Sequence, residues 1–367
     1  MIYCLLGQFS PAGAKRDHRE GRTRVEDGLK VLGRIAPDLM ADIGRRAQVL
    51  SSIESMQPVG RRALSARLNL PEREVRAAAA ALKEQGLIIM DAAGMQLTPE
   101  AAEVLPGVRE LCRALLGLTR LEQTLSSLLQ VPHVTVVAGN SDRDAQVLRE
   151  VGRAAAHQVH RLLQSGMTLA VTGGSTMSEV AHGMQAAVPM NVLVLPARGG
   201  MGSTVELQAN TVAADMARRL GGRHRVIHLP DTLDAAALQE MMKLPEIREP
   251  LEMLEKCDLV VHGVGRADVM AQRRQLSPEQ TELLCARHAV GEAFGDFFDF
   301  EGRTVLQAAT VTAGLLHQNS KMVAVAAGER KAEAIIAATR HERHDHLITD
   351  EGAAKRIAAM LERPASR

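Results

Sequence analysis

Apolar residues recur at helical spacing within the first strongly patterned region, Asp42 to Leu97, whereas from Val134 onward short apolar runs alternate with longer amphipathic ones. The first pattern predicts helices and the second a parallel sheet with covering helices. Ala47, Leu50 and Ile53 share one helical face, and that helix should stop before Pro58 and Gly60. A short helix is expected over Arg61–Leu68, a turn at Asn69-Leu70, and a third helix opened by Pro71 and closed by Gly86. Its inward stripe is Val75, Ala79 and Leu82, which turns Arg73, Arg76, Ala80 and Lys83 to the opposite half. Leu87-Ile88-Ile89-Met90 and Met95-Gln96-Leu97, on either side of Asp91-Ala92-Ala93-Gly94, then read as a hairpin. Helix, helix, turn, helix, hairpin is the order of a winged helix-turn-helix.

A stripe of Val104, Val108, Leu111, Leu115, Leu118, Leu121, Leu125 and Leu128 predicts a helical connector over 99–130. It packs either on its own domain or between subunits, since a helix-turn-helix needs two copies to read a two-fold site. Beyond it, strands are expected at Val134–Ala138, Met167–Thr172, Asn191–Leu195, Arg225–Leu229, Leu259–Gly263 and Lys321–Ala326. Helices are expected at Asp144–Leu163, Met177–Met184, Val205–Leu220, Leu233–Lys256 and Lys331–Thr339. Such alternation predicts an α/β fold with a doubly wound, Rossmann-like sheet, whose ligands sit at the carboxyl ends of the strands.

Length agrees with more than one core: 367 residues, at roughly 150 per domain, suggest two. The expected division is a disordered tail over 1–24, a DNA-binding domain over 25–98, the connector over 99–130 and a ligand-binding domain over 131–363. Lys and Arg total 44 against 43 Asp and Glu, so any polyanion must be held locally. Residues 45–90 supply that locality, with eight cations against four anions. Double-stranded DNA is the expected partner, with Arg61, Arg62, Arg73, Arg76 and Lys83 the candidate contacts. A protein-docking module of the same shape is the alternative. No aromatic residue lies between 10 and 293, which excludes readers that stack successive bases on aromatic side chains. Cys4, Cys112, Cys257 and Cys285 form no close pair, so reduced thiols in the cytoplasm are expected and no structural zinc. No apolar run is long enough for a membrane span, and Met1–Phe9 is a poor signal peptide.

Candidate chemistry falls in the loops. Thr172-Gly173-Gly174-Ser175-Thr176 joins a predicted strand to a predicted helix, where free N–H groups, hydroxyls and the helix dipole make an anion cradle. It is neither a Walker A loop nor a dinucleotide fingerprint. Arg198-Gly199-Gly200-Met201-Gly202, Gly263-Val264-Gly265-Arg266 and Gly328-Glu329-Arg330-Lys331 follow other strands. Several glycine-bearing loops with cations at one sheet edge suggest a ligand with more than one phosphate. Enzymatic use of this sheet would need a general acid and base, for which Asp258, Glu292, His262 and His288 are available, but they form no recognisable constellation. His341-Glu342-Arg343-His344-Asp345-His346 reads as a solvated charged loop rather than a metal site. No catalytic residue, cofactor or metal is therefore expected.

The order of features resembles the SorC-type sugar-binding repressors, and within them the bacterial central glycolytic genes regulators, over about 25–361. The resemblance rests on Pro37-Asp38-Leu39, Pro58-Val59-Gly60-Arg61-Arg62, Leu82-Lys83-Glu84-Gln85, Thr172-Gly173-Gly174, Gln208-Ala209-Asn210, Met270-Ala271-Gln272-Arg273-Arg274, Gly291-Glu292-Ala293-Phe294-Gly295 and Lys331-Ala332-Glu333-Ala334-Ile335. It implies an operator-binding winged helix and a second domain related to sugar-phosphate isomerases and deaminases. That domain would bind a phosphorylated sugar, fructose 1,6-bisphosphate in similar members, to relieve repression of glycolytic genes in a cytoplasmic homodimer or homotetramer. It further implies one phosphate on Gly173, Gly174, Ser175 and Thr176 near Lys331, and the other on Arg198 and Arg273 or Arg274. Gln208, Asn210 and Glu292 would face the sugar hydroxyls. Arg266 and Glu329 depart from the family pattern and bear on which sugar is bound. A sugar-phosphate isomerase or deaminase on the same fold is the alternative.

Overall fold

A computed structural model of the chain describes residues 31–32, 34–186, 188–198, 205–229, 235–307 and 320–362. The tail expected over 1–24 lies outside the described residues. The chain forms two compact units, parted after Gly117.

The first unit contains α1 (Pro37–Met56), α2 (Arg61–Leu68), α3 (Glu72–Glu84), β1 (Ile88–Met90), β2 (Met95–Leu97) and α4 (Pro99–Leu115). Proline at the start of α1 sits where its missing N–H is not needed, and Asn69, in the left-handed conformation (φ 50°), ends α2. The core is made by Leu50, Ile53, Leu64, Val75, Ala79 and Leu82, so the stripe expected on α3 faces inward. β1 and β2 pair antiparallel, and the Asp91 carboxylate closes their turn by accepting the N–H groups of Ala93 (2.8 Å) and Gly94 (3.1 Å).

The second unit opens with α5 (Leu118–Leu129), so the connector expected as one helix is two. Gly117 separates them at φ +67°, a conformation that ends helices and that a side chain disfavours. The leucine stripe continues across the break, which is why periodicity alone hid it.

There follow β3 (His133–Val137), α6 (Ala145–Leu162), β4 (Thr168–Val171), α7 (Ser175–Gly183), β5 (Leu193–Pro196), α8 (Ala209–Leu220), β6 (Arg223–His224), α9 (Ala235–Met241) and α10 (Pro245–Leu254). The chain ends through β7 (Leu259–Gly263), β8 (Gly265–Arg266), α11 (Ala267–Arg273), α12 (Pro278–Ala286), β9 (Ala289–Ala293), β10 (Asp296–Asp299), β11 (Thr304–Gln307), β12 (Lys321–Val325), α13 (Ala332–His341), β13 (His346–Asp350) and α14 (Glu351–Leu361).

Seven strands form one parallel sheet in the order β3-β13-β12-β7-β4-β5-β6. Its central strands are covered on both faces: every residue of β13, and all but one of β7 and of β12, is buried. From β4 the chain moves to β5 on one side, and β7 leads to β12 on the other. The β4–β7 boundary is thus the topological switch point, at the carboxyl ends of which such sheets bind their ligands.

Three expectations need correction. The strand expected over Arg225–Leu229 is absent, because the Asn210 amide accepts the Ile227 N–H (3.0 Å) and donates to its carbonyl (3.1 Å), replacing ladder bonds. The single helix expected over Leu233–Lys256 is α9 and α10, the second opened by Pro245. The helix expected from Val205 begins only at Ala209, after a 3-10 turn and the extended Gln208. In addition, a second, antiparallel sheet in the order β11-β10-β9-β8, with α11 and α12, fills the stretch between β7 and β12.

Candidate functional site

In the first unit, α3 buries Val75, Ala78, Ala79 and Leu82, and Arg73, Arg76 and Lys83 are exposed. Arg61 and Arg62, in the first turn of α2, are exposed as well. The acidic residues that begin α3 are partly neutralised: Arg45 donates to Glu74 (3.1 Å), and Arg76 lies 3.9 Å from Glu72. The unit can therefore present a cationic helix to a polyanion.

In the second unit the turn after β4 is fixed by contact. A Cβ on Gly173 would stand 2.3 Å from the Leu207 carbonyl oxygen and 2.8 Å from the Ala209 nitrogen, so only glycine fits. Gly174, at φ +113°, caps α7, but its N–H donates to the Leu207 carbonyl (2.8 Å) and is already used. The free donors belong instead to the first turn of α7, where Ser175 is exposed and Thr176 is buried. Across the switch point the Gly263 N–H donates to the Thr172 hydroxyl (3.1 Å), tying the end of β7 to this turn.

Among the described residues, Lys331 and Arg273 make no direct ion pair. Lys331, half-buried between β12 and α13, has its pKa held below the usual lysine range, first by burial and then by the charge of Arg273. Asp142 and Asp350 act the other way. Arg273 is exposed and, among the described residues, meets no carboxylate. Two cations close enough to oppose each other make a place that an anion would relieve.

A second cationic group surrounds Glu292 on β9. Its Oε1 accepts from the Gly295 N–H (2.7 Å) and from Arg274, and the guanidinium of Arg198, just beyond β5, lies 3.6 Å away. Burial pushes the Glu292 pKa up against the pull of Arg198 and the Gly295 N–H. Arg274 is the inward member of the Arg pair; its Nε and Nη1 are buried without a partner, and its guanidinium lies over the Phe297 ring at 5.7 Å. That neighbouring arginines divide in this way depends on tertiary packing and has no local signal.

Other candidates fall elsewhere. Asn210 is taken up at both ends by the Ile227 backbone and so supports α8 rather than offering a free amide. Gln208 is half-buried before α8. Arg266 pairs with Asp268 (3.1 Å) and, with Glu329, Arg330 and Arg356, lines a separate cavity of about 450 Å³. Glu329 accepts from Asn140 (3.1 Å), and Arg330 meets Asp142 (3.2 Å). The 341–346 stretch is not the solvated loop expected: His344 and His346 are buried, and the His341 ring stacks on Phe298 at 5.0 Å. Among the described residues no group of His, Cys, Asp and Glu could hold a metal, and no helix is long and apolar enough to cross a membrane.

Comparison with known proteins separates the same two parts. A family model for a sugar-binding domain matches residues 113–359, and one for the CggR N-terminal DNA-binding domain matches residues 42–112. The chain is 39% identical to the central glycolytic genes regulator of Priestia megaterium over 90% of this chain and 97% of that protein. It is 37% identical to that of Bacillus subtilis over 88% and 96%. A crystal structure of a SorC family transcriptional regulator from Enterococcus faecalis superimposes with a TM-score of 0.59 at 35% identity, covering 65% of this chain and 99% of that one.

Proposed function

The chain belongs to the sugar-binding transcription regulators of the SorC type, in the branch of the central glycolytic genes regulators, and from that premise we propose that it represses glycolytic genes until a bisphosphorylated sugar releases it. It is a regulator and not an enzyme. In this reading the exposed face of α3 enters the major groove, with Arg61, Arg62, Arg73, Arg76 and Lys83 meeting phosphates or guanine edges. The hairpin β1–β2 serves as the wing.

The observation that supports the reading is two groups of polar and cationic residues in loops that follow strands of the one sheet, each assigned here to one phosphate. One is the first turn of α7, reached over Gly173 and Gly174 at Ser175 and Thr176, with Lys331 and Arg273. The other is Arg198 beside Glu292. Fructose 1,6-bisphosphate has two phosphates to fill both, with Gln208 and Glu292 toward its hydroxyls and Asn210 bracing the wall. Release requires that the sugar bind the DNA-free state more tightly, and a tenfold shift needs about 1.4 kcal/mol of such coupling. The protein would act in the cytoplasm as a dimer or tetramer on a two-fold operator.

A melting-temperature panel of mono- and bisphosphorylated sugars on the full chain tests this. The largest rise is expected with fructose 1,6-bisphosphate, and equal rises with unphosphorylated fructose would contradict the reading.

A further inference from the structure

Beneath the mouth lies a pair of histidines that the sugar site does not use. His262 on β7 is fully buried and His344, just before β13, nearly so; their Nε2 atoms face each other at 2.8 Å. The remaining ring nitrogens face carbonyl oxygens: His262 Nδ1 lies 3.1 Å from the Gly263 oxygen and His344 Nδ1 lies 2.8 Å from the Glu342 oxygen. A carbonyl can only accept, so both Nδ1 atoms must carry hydrogen for these bonds to exist. Two neutral imidazoles own two ring protons, and the carbonyls consume both. The Nε2 contact then needs a third. Neutral, the pair makes two of its three hydrogen bonds; with one extra proton it makes all three.

The pair touches both walls of the mouth. Gly263, whose carbonyl receives the His262 Nδ1–H, donates its own N–H, in the preceding peptide unit, to the hydroxyl of Thr172, the start of the glycine turn. The His262 ring packs on Phe294 at 4.5 Å, and Phe294 lies between Glu292 and Gly295, bonded to each other beside Arg198. We propose that His262 and His344 are positioning residues for the sugar phosphate, taking up one proton as the anion binds and thereby fixing the Gly263–Thr172 link. This rests on the reading of the mouth given above.

The surroundings favour a neutral pair until an anion arrives. Burial, and next the charge of His344, hold His262 at about 3. Burial holds His344 at about 4, against the Glu342 carbonyl and the Asp345 carboxylate, while the charge of His341 acts with burial. Of these neighbours, Asp345 is occupied by the Met322 N–H (2.9 Å), and His341 faces Asp296 at 3.8 Å. A phosphate at the mouth adds negative potential and shifts the balance toward the proton. Proton uptake on binding means affinity that rises as pH falls, by at most about tenfold per pH unit for one proton.

The test is fructose 1,6-bisphosphate affinity of the full chain from pH 7.5 to 5.5, in wild type, His344→Gln and His262→Gln. Either glutamine can still donate or accept across the pair but cannot titrate, and protons on the sugar phosphates are common to all three proteins. The wild type is expected to gain roughly threefold or more in affinity, relative to the variants, as pH falls. Equal profiles would overturn the proposal alone; no binding by wild type at any pH would overturn the reading of the mouth as well. If a variant does not fold, calorimetry on wild type at pH 6 in two buffers of different ionisation enthalpy decides. Uptake approaching one proton, after correction for the sugar, supports the pair, and none overturns it.

Discussion

The two units use cations in opposite ways. On α2 and α3, Arg61, Arg62, Arg73, Arg76 and Lys83 are exposed, whereas Arg198 and Arg274 are largely buried around Glu292 and Lys331 is held half-buried. Exposed cations suit a polymer whose phosphates repeat: each contact is worth little, many add, and salt weakens them together. Cations already stripped of water suit one small ligand of fixed charge spacing, because desolvation has been met during folding and little screening reaches them. On the proposed function the exposed cations of the first unit grip and the buried ones of the second sense, Arg273 being the exposed exception.

The largest effect should come from closing the sensing site. Gly173→Ala places a methyl against the Leu207 carbonyl and displaces the start of α7, and losing two charge-assisted hydrogen bonds at about 1.5–3 kcal/mol each lowers sugar-phosphate affinity by about 100-fold or more. Titration calorimetry reads this, and duplex binding by the same protein should be unchanged. Next, Arg73→Ala with Arg76→Ala should weaken duplex binding about tenfold to 100-fold and reduce the slope of affinity against salt by about one to two, read by fluorescence anisotropy between two salt concentrations. Sugar-phosphate affinity should stay within twofold of wild type, or roughly 0.4 kcal/mol. Lys331→Met should cost about tenfold in sugar-phosphate affinity, the value of one charge-assisted bond, with duplex affinity intact.

The smallest effect concerns pH. The Asp296 carboxylate, 3.8 Å from its Nε2, raises the His341 pKa, with the Gly302 carbonyl helping against burial. A folded value above the unfolded one gives stability that is fully present below the unfolded value of 6.5 and is lost as pH rises through the folded value. His341→Gln should thus cost less than about 1 kcal/mol at pH 5.5 and less still at pH 9, read from urea midpoints.

Much of this division was legible in the sequence. Arg61–Leu68 and Leu259–Gly263 fold with the bounds their patterns predict, because a helix between Gly60 and Asn69 and a strand buried on both faces each leave a plain local signal. The glycine turn after β4 was equally readable. The antiparallel sheet was not, since β8–β11 have two to five residues each, too few for a period to show. A start signal for α12 was present in Ser277-Pro278-Glu279-Gln280, whose Ser277 and Gln280 form a reciprocal cap. Asn210 carries a family motif but spends its amide on a distant backbone, a pairing that depends on tertiary contact. His344 sits in a run of charged residues, and only the fold shows that it turns inward to meet His262 82 positions earlier.

The proposed switch is that one chain holds duplex DNA through its first unit and surrenders it when its second unit captures a bisphosphorylated sugar. It is tested most directly by fluorescence anisotropy of a duplex from the region upstream of the protein's own coding sequence, titrated with fructose 1,6-bisphosphate in the presence of wild type or Lys331→Met. The account predicts that both proteins bind the duplex equally and that the sugar releases wild type at about tenfold lower concentration than the variant. Loss of duplex binding by Lys331→Met, or release of both proteins at the same sugar concentration, would contradict it.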